Sequence, residues 1–165
     1  MIAPTVERDF QRTKVYEAEQ FARTLFARAA QHPGRSIDFF GTALTLPPEA
    51  KFNGVPEVQR YVDQVLAMPA VRQRWPAAGR VSVRAHRGAT SAFYRNGMIA
   101  VPGGRYGTWF FAELPLCHEV AHHLSPKGSA HGPRYTDIFC ELLRIVMGPE
   151  AGYVMQVLYA RHGVR

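Results

Sequence analysis

Two histidines four residues apart, His118 and His122, with Glu119 beside the first, constrain this chain more than any other feature. Residues four apart on an α-helix lie one turn above each other on the same face. Two imidazoles in that arrangement can bind one metal ion, and Glu119 can reach a water on that ion. This HExxH motif therefore predicts a helix that carries a metal-binding face.

A third histidine, His131, follows nine residues after His122. The metzincin pattern places its third histidine six residues after the second, so this spacing is different. Gly132 and Pro133 allow the backbone to turn sharply into a following helix, which would direct the His131 ring toward the other two. Three protein ligands with a fourth position left for water are typical of a catalytic zinc site. We predict that His118, His122 and His131 bind one Zn²⁺ per chain.

Two carboxylates remain open as alternatives to His131 for the third ligand. Gluzincin-type sites take a glutamate from the next helix, and Glu141 lies nineteen residues after His122. Asp137 is in the same predicted helix and could instead hydrogen-bond a ligand imidazole, although a helix-surface carboxylate is an equally simple interpretation.

Hydrophobic periodicity predicts an α+β fold over residues 1–165, treated as one domain. The predicted helices cover 9–30, 56–69, a part of 108–124, 133–147 and 149–160. The predicted strands cover 37–40, 43–46, 81–85, 91–94 and 98–101. The last two strands flank Asn96-Gly97, a strong hairpin signal, so the sheet is expected to be small and mostly antiparallel. Pro115 indicates that the motif helix either begins near that residue or is kinked there.

Composition indicates a globular protein, with 47% hydrophobic and 20% charged residues. No apolar run approaches the ~20 residues that a membrane span needs, and the first residues lack the features of a signal peptide. Cys117 and Cys140 do not make a disulfide framework and are expected to be buried thiols. A cytoplasmic location is therefore expected.

The net charge of +7 raises the question of a nucleic-acid partner. The arginines are scattered rather than packed into a run, which favours a solvated basic surface over a dedicated DNA-binding face. DNA stays an alternative partner to a protein or peptide substrate.

The segment from His118 to His122, a short loop, and the segment from His131 to Tyr135 resemble the HExxH…HGxxF arrangement of SprT-like zinc metalloproteases. Tyr135 stands where that pattern usually has phenylalanine. More of the chain is similar to a smaller family of metallohydrolases, defined by motif, in actinobacteria and their phages. The stretches that carry this second resemblance are 11–19, 44–47, 58–62, 84–90, 99–102 and 146–151. The resemblance implies a single zincin-like domain, with small sheet, active-site helix and flanking helices, and one zinc held by the three histidines.

These patterns predict a zinc-dependent metallohydrolase, above all a metallopeptidase in which Glu119 activates a zinc-bound water as general base. The alternative is a catalytically silent zincin-like module that binds protein or DNA and uses zinc for structure. His123 points about 100° around the helix from His122, so it is expected at the surface or beside the ligands. Tyr94, Tyr106 and Tyr135 are candidate donors to a reaction oxyanion, and each is also explained by packing.

Overall fold

Helices make up most of the computed structural model, which describes residues 9–103 and 109–165. Short strands alternate with the helices before the last three helices, so the predicted α+β class is confirmed. In chain order the α-helices and strands are α1 (Arg12–Ala30), β1 (Ser36–Phe39), β2 (Thr42–Thr45), α2 (Val55–Ala67), α3 (Pro69–Arg74), β3 (Ser82–His86), β4 (Phe93–Arg95), β5 (Met98–Pro102), α4 (Glu113–Leu124), α5 (Pro133–Val146) and α6 (Pro149–Arg161), and a short 3-10 helix at Pro33–Arg35 lies between α1 and β1.

The strands form two small sheets in the described part of the chain. Strands β1 and β2 pair antiparallel as one hairpin, and the second sheet has the order β3-β5-β4. Strands β4 and β5 form the predicted hairpin, with Asn96 and Gly97 both at positive φ, as its tight turn requires. Strands β3 and β5 pair in parallel, with Val83 opposite Ile99, and this pairing was not predicted. Two of these three pairings are antiparallel, which agrees with the expected character of the sheets.

Proline explains where several helices begin. Pro115 is the third residue of α4, within the first turn, where backbone N–H groups have no intrahelical partner. The motif helix therefore begins near Pro115 and has no kink there. This is the first of the two alternatives that the sequence left open. Met68 is extended, as residues before proline prefer, so α2 ends there and Pro69 opens the short, unpredicted helix α3. Helix α1 begins at Arg12 rather than at Asp9.

The motif helix α4 is the most enclosed of the described helices. It packs against α5 on one side and β4 on another, and α6 packs against both α1 and α5. Nine of its twelve residues are buried, including His118 and Glu119. Helix α1 contributes a buried stripe at helical spacing, consisting of Val15, Ala18, Ala22, Leu25, Phe26 and Ala29. The arrangement holds the motif between α1, α5 and the edge strand β4.

Among the described residues, no helix is both long enough and apolar enough to cross a membrane.

Candidate metal centre

Three imidazole nitrogens meet at one point between α4 and the start of α5. The Nε2 atom of His122 lies 3.2 Å from Nε2 of His118 and 3.2 Å from Nε2 of His131. The third side of the triangle, from His131 to His118, is 3.3 Å. The structure therefore brings together the three histidines that the sequence predicted as ligands, and they could hold a metal ion.

The size of this triangle fits a four-coordinate ion. Zn–N distances of about 2.0–2.1 Å and tetrahedral angles separate two ligand nitrogens by about 3.3–3.4 Å. The observed sides of 3.2, 3.2 and 3.3 Å match that separation closely. Three ligands at one face of such an ion leave its fourth position open.

The two carboxylate alternatives for the third ligand are wrong. Glu141 pairs with Arg74 through a 2.7 Å contact on the protein surface. Asp137 is exposed on α5 and is not the carboxylate that contacts the ligand rings. His131 lies beside His118 and His122 instead, because its backbone turns directly into α5 at Gly132 and Pro133, as the sequence indicated.

Two other carboxylates orient the ligand rings. Glu19 Oε2 lies 2.7 Å from Nδ1 of His118, and Asp9 Oδ2 lies 2.5 Å from Nδ1 of His131. A carboxylate accepts hydrogen bonds, so Nδ1 donates its N–H in each pair, and the neutral form of each imidazole then has its lone pair on Nε2, facing the centre. Carboxylates in this position fix the tautomer and the orientation of metal-binding imidazoles.

Aromatic rings enclose the triad on two sides. Tyr135 is fully buried and lies within 5.2 Å of all three imidazole centroids, stacked most closely on His122 at 4.3 Å. Tyr16, on α1, stacks on His118 with ring centroids 5.4 Å apart and meets His131 edge-on at 5.3 Å. The imidazoles therefore have little freedom to rotate away from the centre.

Burial and neighbouring charges shift the proton affinities of these groups. Burial, together with the charges of His118 and His131, lowers the pKa of His122 to about 2. Burial also lowers the pKa of His131, against the opposing effect of Asp9. Burial acts the same way on His118, but the charge and hydrogen bond of Glu19, together with the charge of Glu119, outweigh it and raise that pKa above its usual value. Two of the three imidazoles thus favour the neutral form, the form that binds metal.

Glu119 contributes to the lining of two pockets. It lines a small cavity of about 100 Å³ together with Tyr16, Leu114, Phe139 and Met155. It also lines an open groove of about 760 Å³, bounded by β4 on one side and by the loop before His131 on the other. Burial raises the pKa of its carboxyl group, although the charge of His118 opposes the shift.

The groove runs beside an edge strand. Strand β4 pairs with β5 on one side only, and its neighbour across the groove is the motif helix α4. His123 belongs to this contact and not to the triad, since its Nδ1 lies 3.0 Å from the Tyr94 hydroxyl and its Nε2 2.8 Å from the Gly79 carbonyl. The prediction that His123 lies outside the ligand set is confirmed.

Two of the three tyrosines predicted as candidate oxyanion donors have hydroxyl groups that already make hydrogen bonds within the protein. The Tyr135 hydroxyl is buried and donates to the His118 carbonyl at 3.3 Å. The Tyr94 hydroxyl accepts from the Gly97 amide at 2.9 Å as well as contacting His123. Tyr106 lies outside the described residues.

Cys117 and Cys140 are free and buried, as predicted.

Sequence reasoning missed Asp9, Tyr16 and Glu19. Asp9 lies just before α1, and Tyr16 and Glu19 lie in its first half, about a hundred residues before the motif in the chain. A local pattern does not report such contacts. The one available signal was the stretch 11–19, which carries part of the family resemblance and which the structure places against the triad.

No protein-family model matches the chain, and comparisons with curated proteins and with solved structures find no match either. The geometry of the site is therefore the basis for any statement about function.

Proposed function

We propose that this protein is a zinc-dependent metallohydrolase of the zincin type, and specifically a metallopeptidase that hydrolyses peptide amide bonds. The observation that carries the proposal is the triangle of three Nε2 atoms, with sides of 3.2–3.3 Å, adjacent to the buried carboxylate of Glu119. Three imidazoles suit several transition metals. A tetrahedral, three-histidine set with an open position is the arrangement that zinc uses for catalysis.

Each residue has a distinct task in this proposal. His118, His122 and His131 would hold the ion, which would polarise the scissile carbonyl and make a water easier to deprotonate. Glu119 takes the proton from the attacking water and returns it to the nitrogen of the leaving amine. Glu19 and Asp9 keep the imidazoles of His118 and His131 in the metal-binding tautomer.

The shape beside Glu119 supports a polypeptide as substrate. An extended peptide can add to the free edge of a strand through backbone hydrogen bonds. Strand β4 offers such an edge along the groove that contains Glu119 and His122. The apolar cavity next to Glu119 would take a substrate side chain.

A second candidate function, a binding module for DNA or another polyanion, is supported by the distribution of charge. The segment 64–112 contains seven arginines and not one aspartate or glutamate, so it accounts for a charge equal to the whole net charge of +7. The six arginines of this segment that the structure describes are all exposed. In this alternative the metal would be structural, and Glu119 would have no chemical task.

The deciding experiment measures metal content and hydrolysis in the same samples. Wild type, Glu119→Gln and His131→Ala would be analysed for zinc and then incubated with denatured casein. The proposal expects one zinc per chain in wild type and Glu119→Gln, less in His131→Ala, and cleavage by wild type alone. Stoichiometric zinc with equal, absent cleavage in wild type and Glu119→Gln, together with salt-sensitive DNA binding, would favour the binding module. Wild type without zinc would contradict both.

A further inference from the structure

Tyr16 occupies a place at the centre that no other described tyrosine shares. It lines both the small cavity and the open groove, in each case together with Glu119. Its ring covers the imidazoles of His118 and His131, and its side chain is accessible, with 41% of the residue exposed. A substrate in the groove would meet Tyr16 and Glu119 together.

The hydroxyl groups of the other described tyrosines near the site are already engaged. Tyr135 donates to the His118 carbonyl from a fully buried position. Tyr94 is held between Gly97 and His123. Tyr159 donates to Glu19 at 2.7 Å. None of these three has a hydroxyl proton directed at a substrate in the groove.

The neighbour of the Tyr16 hydroxyl leaves its proton available. The Arg12 guanidinium lies beside the ring, with Cζ 5.6 Å from the ring centroid. A guanidinium group only donates hydrogen bonds, so Arg12 can donate to the Tyr16 oxygen but cannot accept the hydroxyl proton. That proton therefore stays available for a different acceptor.

We propose that the Tyr16 hydroxyl donates a hydrogen bond to the oxyanion that forms on the scissile carbonyl oxygen. This inference rests on the proposed peptidase function. When water attacks, its oxygen bonds to the carbonyl carbon, Glu119 takes the proton, and the π-electron pair moves to the carbonyl oxygen. Tyr16 stabilises that negative oxygen without losing its own proton. The pair returns as the C–N bond breaks, and the leaving nitrogen takes the proton from Glu119.

Tyr16→Phe is the natural test, because the ring that stacks on His118 and His131 is retained and only the hydroxyl is removed. Tyr153→Phe is a matched control, since Tyr153 is 43% exposed and lies on α6 against Phe39. Zinc affinity is measured first for wild type and both variants by competition with a chelator. The inference expects equal affinities, which shows that the ring still packs on the ligands.

Binding of two probes to the zinc-loaded proteins then isolates the hydroxyl. A phosphinic pseudopeptide presents tetrahedral oxygens that mimic the oxyanion, and a mercaptoacyl peptide of the same sequence binds metal through sulfur instead. Tyr16→Phe should bind the phosphinic probe at least about tenfold more weakly and the thiol probe unchanged. For any substrate that wild type cleaves, kcat should fall about 10²–10³-fold with KM nearly unchanged.

The possible failures are distinguishable. Equal phosphinic affinity in wild type and Tyr16→Phe overturns the assignment of Tyr16 and leaves the peptidase proposal standing. Loss of zinc in Tyr16→Phe also overturns it, because the residue would then act by packing. If wild type binds zinc but cleaves nothing, the peptidase proposal fails, and the ratio of the two probe affinities still decides the role of the hydroxyl.

Discussion

The carboxylate of Glu19 bridges His118 and Tyr159, which lies near the C-terminal end of the chain. Its Oε2 accepts from Nδ1 of His118 at 2.7 Å, and its Oε1 accepts from the Tyr159 hydroxyl at 2.7 Å. Both oxygens are therefore fixed, and α1, α4 and α6 meet at one side chain. Because this contact sets the tautomer of His118, Glu19 should influence metal binding without contacting the metal.

Replacing Glu19 should weaken zinc binding. Glu19→Ala removes the acceptor for His118 Nδ1 and should lower zinc affinity about 10–100-fold, as is usual for such partners of metal ligands. Glu19→Gln retains one oxygen that can accept the same hydrogen bond, so its loss should be smaller. Zinc dissociation constants from chelator competition would measure both effects.

Glu17→Gln is the matched control for this series, since Glu17 lies on the same helix and is exposed. Its zinc affinity should equal that of wild type. If Glu19→Ala binds zinc as tightly as Glu17→Gln does, the carboxylate has no role in orienting His118.

The identity of the third ligand can be tested in the same way. His131→Ala removes one corner of the nitrogen triangle and should reduce zinc to well below one ion per chain. Glu141→Gln should retain full occupancy, because Glu141 contacts Arg74 on the surface and not the triad. Elemental analysis after dialysis would measure both. Retention of zinc by His131→Ala with its loss in Glu141→Gln would reverse the assignment.

The residues of this site that could be predicted from the sequence lie close to one another along the chain. His118 and His122 share one helical face, and His131 follows after a short loop that turns at Gly132, so their meeting follows from helix geometry and spacing. Asp9, Tyr16 and Glu19 reach the same centre only through the packing of α1 against the rest of the fold. A contact between elements a hundred residues apart depends on tertiary structure, which no local periodicity encodes.

The same distinction applies to the fold. The hairpin of β4 and β5 was predicted because Asn96-Gly97 has the backbone preferences of a tight turn. The parallel pairing of β3 with β5 has no such local signal, because a parallel partner is separated from its strand by an intervening connection. The sequence predicts a helix over 56–69 and no helix after it, whereas proline also favours the first turn of a helix, and Pro69 begins α3.

Gly152 should be one of the least replaceable residues outside the metal centre. A Cβ atom added there would lie 2.9 Å from the Cys140 carbonyl oxygen and would also collide with Arg144. The arginine side chain can move, but the carbonyl belongs to the backbone of α5, against which α6 packs. Gly152→Ala should therefore destabilise the protein by about 1–3 kcal/mol, although alanine is normally favoured over glycine in a helix by about 0.5–1 kcal/mol.

Urea unfolding of Gly152→Ala and Gly79→Ala would make this comparison. A Cβ at Gly79 would have no atom within 4 Å, so that substitution should change the free energy of unfolding little. Equal or greater stability of Gly152→Ala would mean that α5 and α6 can separate at no cost.

The two buried thiols should be unreactive in the native protein and should lower its free energy of unfolding at alkaline pH. Burial raises the pKa of Cys117 and of Cys140 to about 12, against an ordinary value of 9.0. At pH 8 neither should react with Ellman's reagent until the protein is denatured, when both should react.

The sign of the pH effect follows from the direction of these shifts. Above pH 9 the thiols of the unfolded chain lose their protons, while those of the folded chain keep them until about pH 12. The unfolded state then binds fewer protons, so the free energy of unfolding falls as pH rises through this window, and the thiols have no such effect below it. Buried tyrosines such as Tyr61 have raised pKa values too and act in the same direction.

The contribution of the thiols is therefore obtained by comparing wild type with the double variant Cys117→Ala/Cys140→Ala. It is the difference between the slopes of their free energies of unfolding against pH, measured by urea unfolding from pH 7 to pH 11. Parallel slopes, or rapid reaction of the native thiols at pH 8, would show that the cysteines exchange with solvent more freely than their burial implies.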